Sequence, residues 1–207
     1  MIKKGFTLIE LIIVIGIIAL LATTVILVIN PVRIFQEARD SQRIADLGQL
    51  SSAISLYLAT SSANPLLPAA CLADWWASIS AVPSASQPFA SPATAEASQT
   101  HSATPWVITG AGWLPLDFRT VSGGSPLSAL PRDPRNNNTG TLSAAGGGLF
   151  YAFQCDAANT TFELNANMES GRYGNTGGTP GADDVENTDG GSSTSIFEVG
   201  NAPSLAL

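Results

Sequence analysis

The sequence has few of the side chains on which metal centres and catalytic sites depend. Its 207 residues include one histidine, His101, and two cysteines, Cys71 and Cys155, which lie far apart. A structural zinc site needs four cysteine or histidine ligands, so such a site is nearly excluded. His101 lies in a loop-like segment rich in serine, threonine and alanine, where we expect an exposed side chain without a catalytic role.

Charged side chains and enzyme motifs are also scarce. Charged residues make up 12% of the chain, and the formal net charge is −7. Because an acidic surface repels phosphate backbones, no general nucleic-acid binding is expected. The sequence contains no G-x-S-x-G motif, no P-loop and no glycine-rich loop between a strand and a helix. We therefore predict neither an enzyme nor any catalytic residue.

What the sequence does have is one long apolar run close to its start. Leu11–Ile29 contains no charged residue, and a helix of this length spans about 28 Å, close to the hydrocarbon thickness of a bilayer. Lys3 and Lys4 precede the run. Since positive residues stay on the cytoplasmic side, they predict a single-pass segment with the N-terminus inside and the C-terminal bulk outside.

A single acidic residue, Glu10, stands at the start of this run. A carboxylate in the bilayer core costs roughly 2.5–3.5 kcal/mol on insertion scales, and neither a disposable signal peptide nor a simple anchor gains from it. The run is also longer than a usual signal core and ends without a clear small-x-small cleavage site. Glu10 is therefore a functional candidate whose charge needs a partner.

The stretch Lys3 to Leu11, K-K-G-F-T-L-I-E-L, resembles the prepilin leader of type IV pilins and type II secretion pseudopilins. The resemblance implies that a prepilin peptidase cuts between Gly5 and Phe6 and then methylates the new amino terminus at Phe6. It also implies that Glu10 acts in filament assembly by pairing with the N-terminal amine of a neighbouring subunit. Such a pairing would offset two charges that are costly in lipid.

The resemblance also implies a function, partners and a location. We predict a structural subunit of a type IV pilus or pilus-like filament, with a pseudopilin of a type II secretion or DNA-uptake system, a minor pilin, and a membrane-anchored enzyme or binding module as alternatives. The expected partners are identical or sibling pilin subunits, prepilin peptidase, the inner-membrane assembly platform and the lipid bilayer. The chain is expected in the cytoplasmic membrane before assembly and in an extracellular or periplasmic filament afterwards.

Four regions are predicted along the chain, in an α+β fold with a long N-terminal helix packed on a small antiparallel sheet and with long irregular loops. They are the leader at 1–5, the transmembrane half of a stem helix at 6–30, its amphipathic half at 31–60, and an extracytoplasmic globular region at 61–207. Asn30-Pro31 predicts a kink or local break, because proline removes a helical N–H and clashes with the preceding turn.

Apolar residues recur in steps of three and four through the amphipathic half, which predicts one face packed on a core. They are Ile44, Leu47, Leu50, Ile54, Tyr57 and Leu58. Before them stand four charged residues that we interpret as a solvated face, with bridging between subunits as the alternative. They are Glu37, Arg39, Asp40 and Arg43, of which Asp40 and Arg43 have the i,i+3 spacing of an ion pair.

Three stretches are predicted to be strands. Leu149–Cys155 is almost entirely apolar, with every second residue from Leu149 to Cys155 on one face, and Thr160–Met168 alternates apolar and polar residues more cleanly. The short link between them favours an antiparallel hairpin, with the second strand half-buried. Ser195–Val199 is the third candidate. The tryptophan-containing segment Cys71–Val82 is predicted to form a short helix, and Leu130–Pro134 to lead into a turn at Asn136–Thr139.

Cys155 falls on the apolar face of the first predicted strand. In an oxidising compartment it could form a disulfide with Cys71, with two separate buried thiols as the alternative.

The long acidic loop at 169–193 gives weak calcium candidates, because calcium takes six to eight oxygen ligands. They are Asp183, Asp184, Glu186 and Asp189. EF-hand spacing is absent, and a solvated acidic loop is the alternative. No other metal or cofactor is predicted.

Overall fold

The computed structural model describes residues 5–63, 67, 71, 75–79, 104–136, 148–156, 158, 160–174 and 181–202, apart from the side chains of 27–29. Three residues discussed above, Lys3, Lys4 and His101, lie outside these ranges. The chain divides into two units, Met1–Gln36 and Glu37–Leu207.

The first unit holds helix α1, Leu8–Ile29. Its side chains are exposed from Leu8 to Ile26, and this stretch is long and apolar enough to cross a membrane. The last helical residue, Ile29, is followed by the cap residue Asn30, which has a left-handed φ of 42°. A new helix begins at Pro31, so the predicted break at Asn30-Pro31 is confirmed. Its physical reason is that a residue before proline is disfavoured in the helical region.

Helix α2, Pro31–Thr60, begins on a proline, whose missing N–H would have no partner in a first helical turn. The part of α2 within the second unit buries the face that its periodicity predicts. Leu47, Leu50, Ile54 and Tyr57 are buried, and Ile44 and Leu58 are partly buried against the same core. Burying each large apolar side chain stabilises the fold by about 1.5–3 kcal/mol.

The second unit contains a four-stranded antiparallel sheet in the order β1-β2-β3-β4. The strands are β1 Trp76–Ala77, β2 Ala152–Asp156, β3 Thr161–Ala166 and β4 Phe197–Gly200, with a 3₁₀ turn at Phe118–Thr120. Adjacent pairing of β2 with β3 confirms the predicted hairpin. The architecture is α+β and pilin-like, as predicted.

The tryptophan pair is not helical where the structure describes it. Trp76 pairs with Phe153 of β2, so the helix predicted over Cys71–Val82 is wrong for this part. Trp76 contacts the main core, whereas Trp75 belongs to a second apolar cluster. Adjacent side chains that contact different clusters are typical of extended backbone, whose side chains alternate in direction.

Strand β3 is buried on both faces, although its alternation predicts burial on one. Phe162 and Leu164 contact the main core, as predicted. Glu163 and Asn165 on the other face are only 2% and 0% exposed. Glu198 of β4, the cross-strand partner of Asn165, is also buried. The half-buried interpretation was wrong because alternation does not report what covers a polar face.

Candidate functional site

Glu10 stands in the first turn of α1 and closes a capping box with Thr7. Its Oε2 atom accepts hydrogen bonds from the Thr7 backbone N–H and the Thr7 hydroxyl, both at 2.8 Å. The Thr7 hydroxyl oxygen accepts in turn from the Glu10 N–H at 3.3 Å. These bonds satisfy N–H groups that no helix carbonyl can reach. The acid therefore helps to start the helix in addition to carrying a charge.

The charge of Glu10 has no cationic partner within the described residues. Both Thr7 bonds go to Oε2, and Oε1 accepts none from that part of the chain. Glu10 is exposed, as are the side chains along the membrane-length stretch Leu8–Ile26 of α1. In lipid, such a carboxylate needs a positive group. The part of the chain that the structure describes does not supply it.

Gly5 and Phe6, the residues predicted to flank the cut, lie directly before the cap and are exposed, Phe6 by 84%. A Cβ built on Gly5 meets no heavy atom within 4 Å. The described contacts therefore do not require glycine at this position. Recognition by a peptidase would account for a glycine that the fold leaves unconstrained.

The largest difference from the sequence-based expectation concerns the charged residues of α2 between Glu37 and Arg43. Asp40 and Arg43 are fully buried, so the solvated-face interpretation is wrong for both. Arg43 pairs with Asp40 at 2.7 Å, the partner that the i,i+3 spacing indicates. Its guanidinium also binds both carboxylate oxygens of Asp133, at 2.6 and 2.9 Å, and one oxygen of Glu169 at 2.7 Å.

Two more sets of contacts belong to this buried ionic cluster, which we define as Arg39, Asp40, Arg43, Asp133 and Glu169; the Arg39 side chain is 28% exposed, and Arg135 also pairs with Glu169, at 3.5 Å. Arg39 makes two hydrogen bonds to Glu169, at 2.8 and 2.6 Å. Asp40 accepts from the backbone N–H groups of Glu169 and the next residue, at 2.9 and 2.7 Å. The cluster thus joins α2 to the loop at Asp133 and to the segment after β3.

Titration of the cluster follows from these contacts. Burial raises the pKa of Glu169, but hydrogen bonds from Arg39 and Arg43 outweigh it, so the pKa lies below its ordinary value. Burial also lowers the pKa of Arg43, and the contacts with Asp133 and Glu169 more than reverse this effect. These groups therefore stay ionised at neutral pH and hold one another inside the protein.

Sequence reasoning missed Asp133 and Glu169 as partners of the helix. One signal for the buried turn was present, because Arg43 precedes Leu47 and Leu50 by four and seven residues. Extending the apolar stripe backwards therefore places Arg43 on the buried face. The turn predicted at Asn136–Thr139 lies outside the described residues apart from Asn136, and just before it the Asp133 carboxylate accepts the backbone N–H groups of Arg135 and Asn136.

The two cysteines come together in the second unit. Cys71 and Cys155 form a disulfide whose Cα atoms lie 4.8 Å apart, and both are buried. Their sequence separation is 84. The bond ties the segment that follows α2 to strand β2.

Three of the four acidic residues considered for calcium have separate hydrogen-bond partners. Asp183 forms an ion pair with Arg172 at 2.6 Å, and Glu186 and Asp189 accept hydrogen bonds from backbone N–H groups. Asp184 is buried, and its carboxylate has no hydrogen-bond partner among the described residues. Within those residues, no group of three or more potential ligands is placed to hold a metal ion. Calcium binding stays a prediction, which calorimetric titration to millimolar calcium checks.

Comparison with known proteins gives one result for this chain. Residues 1–26 match the family model described as the prokaryotic N-terminal methylation motif. No curated protein matches the chain, and no solved structure matches it. The family match confirms the prepilin-type resemblance of the N-terminal segment and supports a type IV pilin-like or pseudopilin precursor. Proteins with this motif are structural, are processed by prepilin peptidase and assemble with pilin subunits.

Proposed function

We propose that this chain is a structural subunit of a type IV pilus or pilus-like filament, assembled through α1 after prepilin peptidase has cut behind Gly5. One observation carries the proposal. An exposed apolar helix of membrane length begins with an acid, Glu10, that has no cationic partner in the described chain. The methylation motif covers this same region.

Cleavage would create the positive group that the described residues do not supply to Glu10. Cutting the bond between Gly5 and Phe6 leaves a carboxylate on Gly5 and a free amine on Phe6. Methylation of that amine keeps it basic, so it stays positively charged. Lys3 and Lys4 hold the uncut N-terminus on the cytoplasmic side, where the peptidase acts.

Pairing between subunits then follows from the low dielectric of the membrane. Two opposite charges attract far more strongly in lipid than in water. The Glu10 carboxylate of an incoming subunit therefore pairs with the Phe6 amine of its neighbour, beneath the growing filament. Before assembly, the lipid of the cytoplasmic membrane covers the exposed side chains of α1. After assembly, neighbouring subunits cover them in the extracellular or periplasmic filament.

Replacing Glu10 by alanine tests this function. We expect E10A chains to insert, to be cut and to carry a methylated Phe6, but to form at least tenfold fewer filaments, about the effect of losing one charge-assisted bond. Mass spectrometry of the N-terminus and immunoblots of sheared filaments measure both results. Glu37→Gln, which weakens a surface ion pair with Arg172, is the control. Normal filaments from E10A chains would contradict the proposal.

The alternatives share the leader and differ in what they assemble. Isolated filaments in which this chain is the dominant band favour a major subunit over a minor pilin. An assembly ATPase with a retraction ATPase among the neighbouring gene products favours pili, whereas a secretin with sibling pseudopilins favours secretion. A membrane-anchored binding module predicts that the chain occurs only as an uncut monomer.

A further inference from the structure

We propose that Thr7 is a positioning residue that holds the Glu10 carboxylate ready for the amine of the neighbouring subunit. This inference rests on the proposed function, in which Glu10 pairs across subunits. It adds a second side chain to the assembly site and gives that side chain a specific task.

The two carboxylate oxygens of Glu10 differ in their contacts. Oε2 accepts both the Thr7 N–H and the Thr7 hydroxyl at 2.8 Å, while Oε1 accepts no bond from the described residues. Two donors on one oxygen fix a side chain that otherwise rotates about several bonds. Because the carboxylate is already oriented, less conformational freedom is lost when a partner binds the open oxygen.

The hydroxyl of Thr7 does more than cap the helix. As an ordinary cap it accepts the Glu10 N–H at 3.3 Å, and as a donor it reaches the Glu10 carboxylate at 2.8 Å. The donated bond is the shorter one and involves an ionised acceptor, so it is the stronger of the two. Thr7 therefore acts mainly on the carboxylate.

Co-assembly with wild-type subunits tests this role. A tagged full-length variant is expressed together with the wild-type chain, and its share of the mixed filaments is measured. This share stays measurable even when the variant alone assembles poorly. T7V keeps the shape of threonine without its hydroxyl, and T7S keeps the hydroxyl. We expect T7V incorporation to fall about tenfold, the effect of losing a hydrogen bond to a charged group. T7S should stay within about twofold of wild type, because its hydroxyl makes the same bond.

A second background separates positioning from helix capping. In E10A chains, T7V should cause no further loss, because Thr7 acts through the Glu10 carboxylate. An equal loss in both backgrounds would reduce Thr7 to a helix cap and overturn the proposal.

Three other results are equally decisive. Wild-type incorporation of T7V, failure of T7S to rescue, or a T7V chain that stays uncut before Phe6 would each overturn the role of Thr7. Normal incorporation of E10A would instead overturn the proposed function itself, so the two failures are distinguishable.

Discussion

Glu10 and Arg43 are charged residues in the two units of the chain, and their surroundings are opposite. Arg43 is fully buried and binds three carboxylates. Glu10 is exposed on an apolar helix, and among the described residues its carboxylate is bound only by Thr7. A charge whose partners lie inside the chain stabilises the fold. A charge that lacks its partner points to another molecule, and this difference directs the functional proposal to Glu10.

Removing Arg43 and removing Glu10 would also leave different groups without an ion-pair partner. Without Arg43, the carboxylates of Asp40 and Asp133 stay buried and lose the guanidinium that pairs with them, whereas Glu169 keeps its hydrogen bonds to Arg39. Without Glu10, no described side chain loses an ion-pair partner. Variants at the two positions should therefore affect different properties, and the predictions below run from the largest expected loss of stability to the smallest.

Arg43→Met should lower the free energy of unfolding by about 4 kcal/mol, because it leaves uncompensated charges in the interior. Urea unfolding of the full chain in detergent, followed by tryptophan fluorescence, measures the loss. Arg119→Met is the matched control, since Arg119 pairs with Asp117 but is 62% exposed. We expect the control to lose less than about 1 kcal/mol. Equal losses would mean that burial of the cluster is unimportant.

Replacing both Cys71 and Cys155 by serine should lower the free energy of unfolding by about 4 kcal/mol, because the bridge, at a sequence separation of 84, restricts the unfolded chain. The same urea experiment measures this loss. A count of two free thiols by non-reducing mass spectrometry of the exported protein would show that the bond does not form in the cell.

Acid should weaken the buried cluster through Glu169. Its folded pKa lies below the ordinary value of 4.5, so its stabilisation is complete above about pH 4.5 and is lost as pH falls through the folded pKa. Unfolding free energies measured from pH 7 to pH 3 should therefore decline. In Glu169→Gln the decline should be shallower, and an unchanged slope would contradict the assignment.

Glu10→Gln should change the free energy of unfolding of the second unit by less than about 0.5 kcal/mol, the usual range for surface substitutions. Glutamine can also close a capping box, so α1 should keep its first turn. Urea unfolding and circular dichroism in detergent check both expectations. A loss as large as that of Arg43→Met would make Glu10 a structural residue and remove the contrast between the two sites.

Much of the fold could be predicted because its signals are local. The spacing of Leu47, Leu50 and Ile54 predicts the buried face of α2, and Asn30-Pro31 predicts the break before it. The buried cluster could not be predicted in the same way. Arg43 meets Asp133 and Glu169 across 90 and 126 positions of sequence, and no local pattern pairs residues over such distances.

The sequence by itself determined the apolar helix of membrane length, the prepilin-type motif and the position of Glu10 within it, because each depends only on neighbouring residues. Only the tertiary structure decided that Asp133 and Glu169 are the distant partners of Arg43 and that Trp76 belongs to a strand. It also showed that the described chain supplies no cation to Glu10. These outcomes depend on which distant segments of the chain pack against a residue. That packing determines whether a charged side chain contacts water, pairs with a charge inside the fold, or is available to pair with a charge of another subunit.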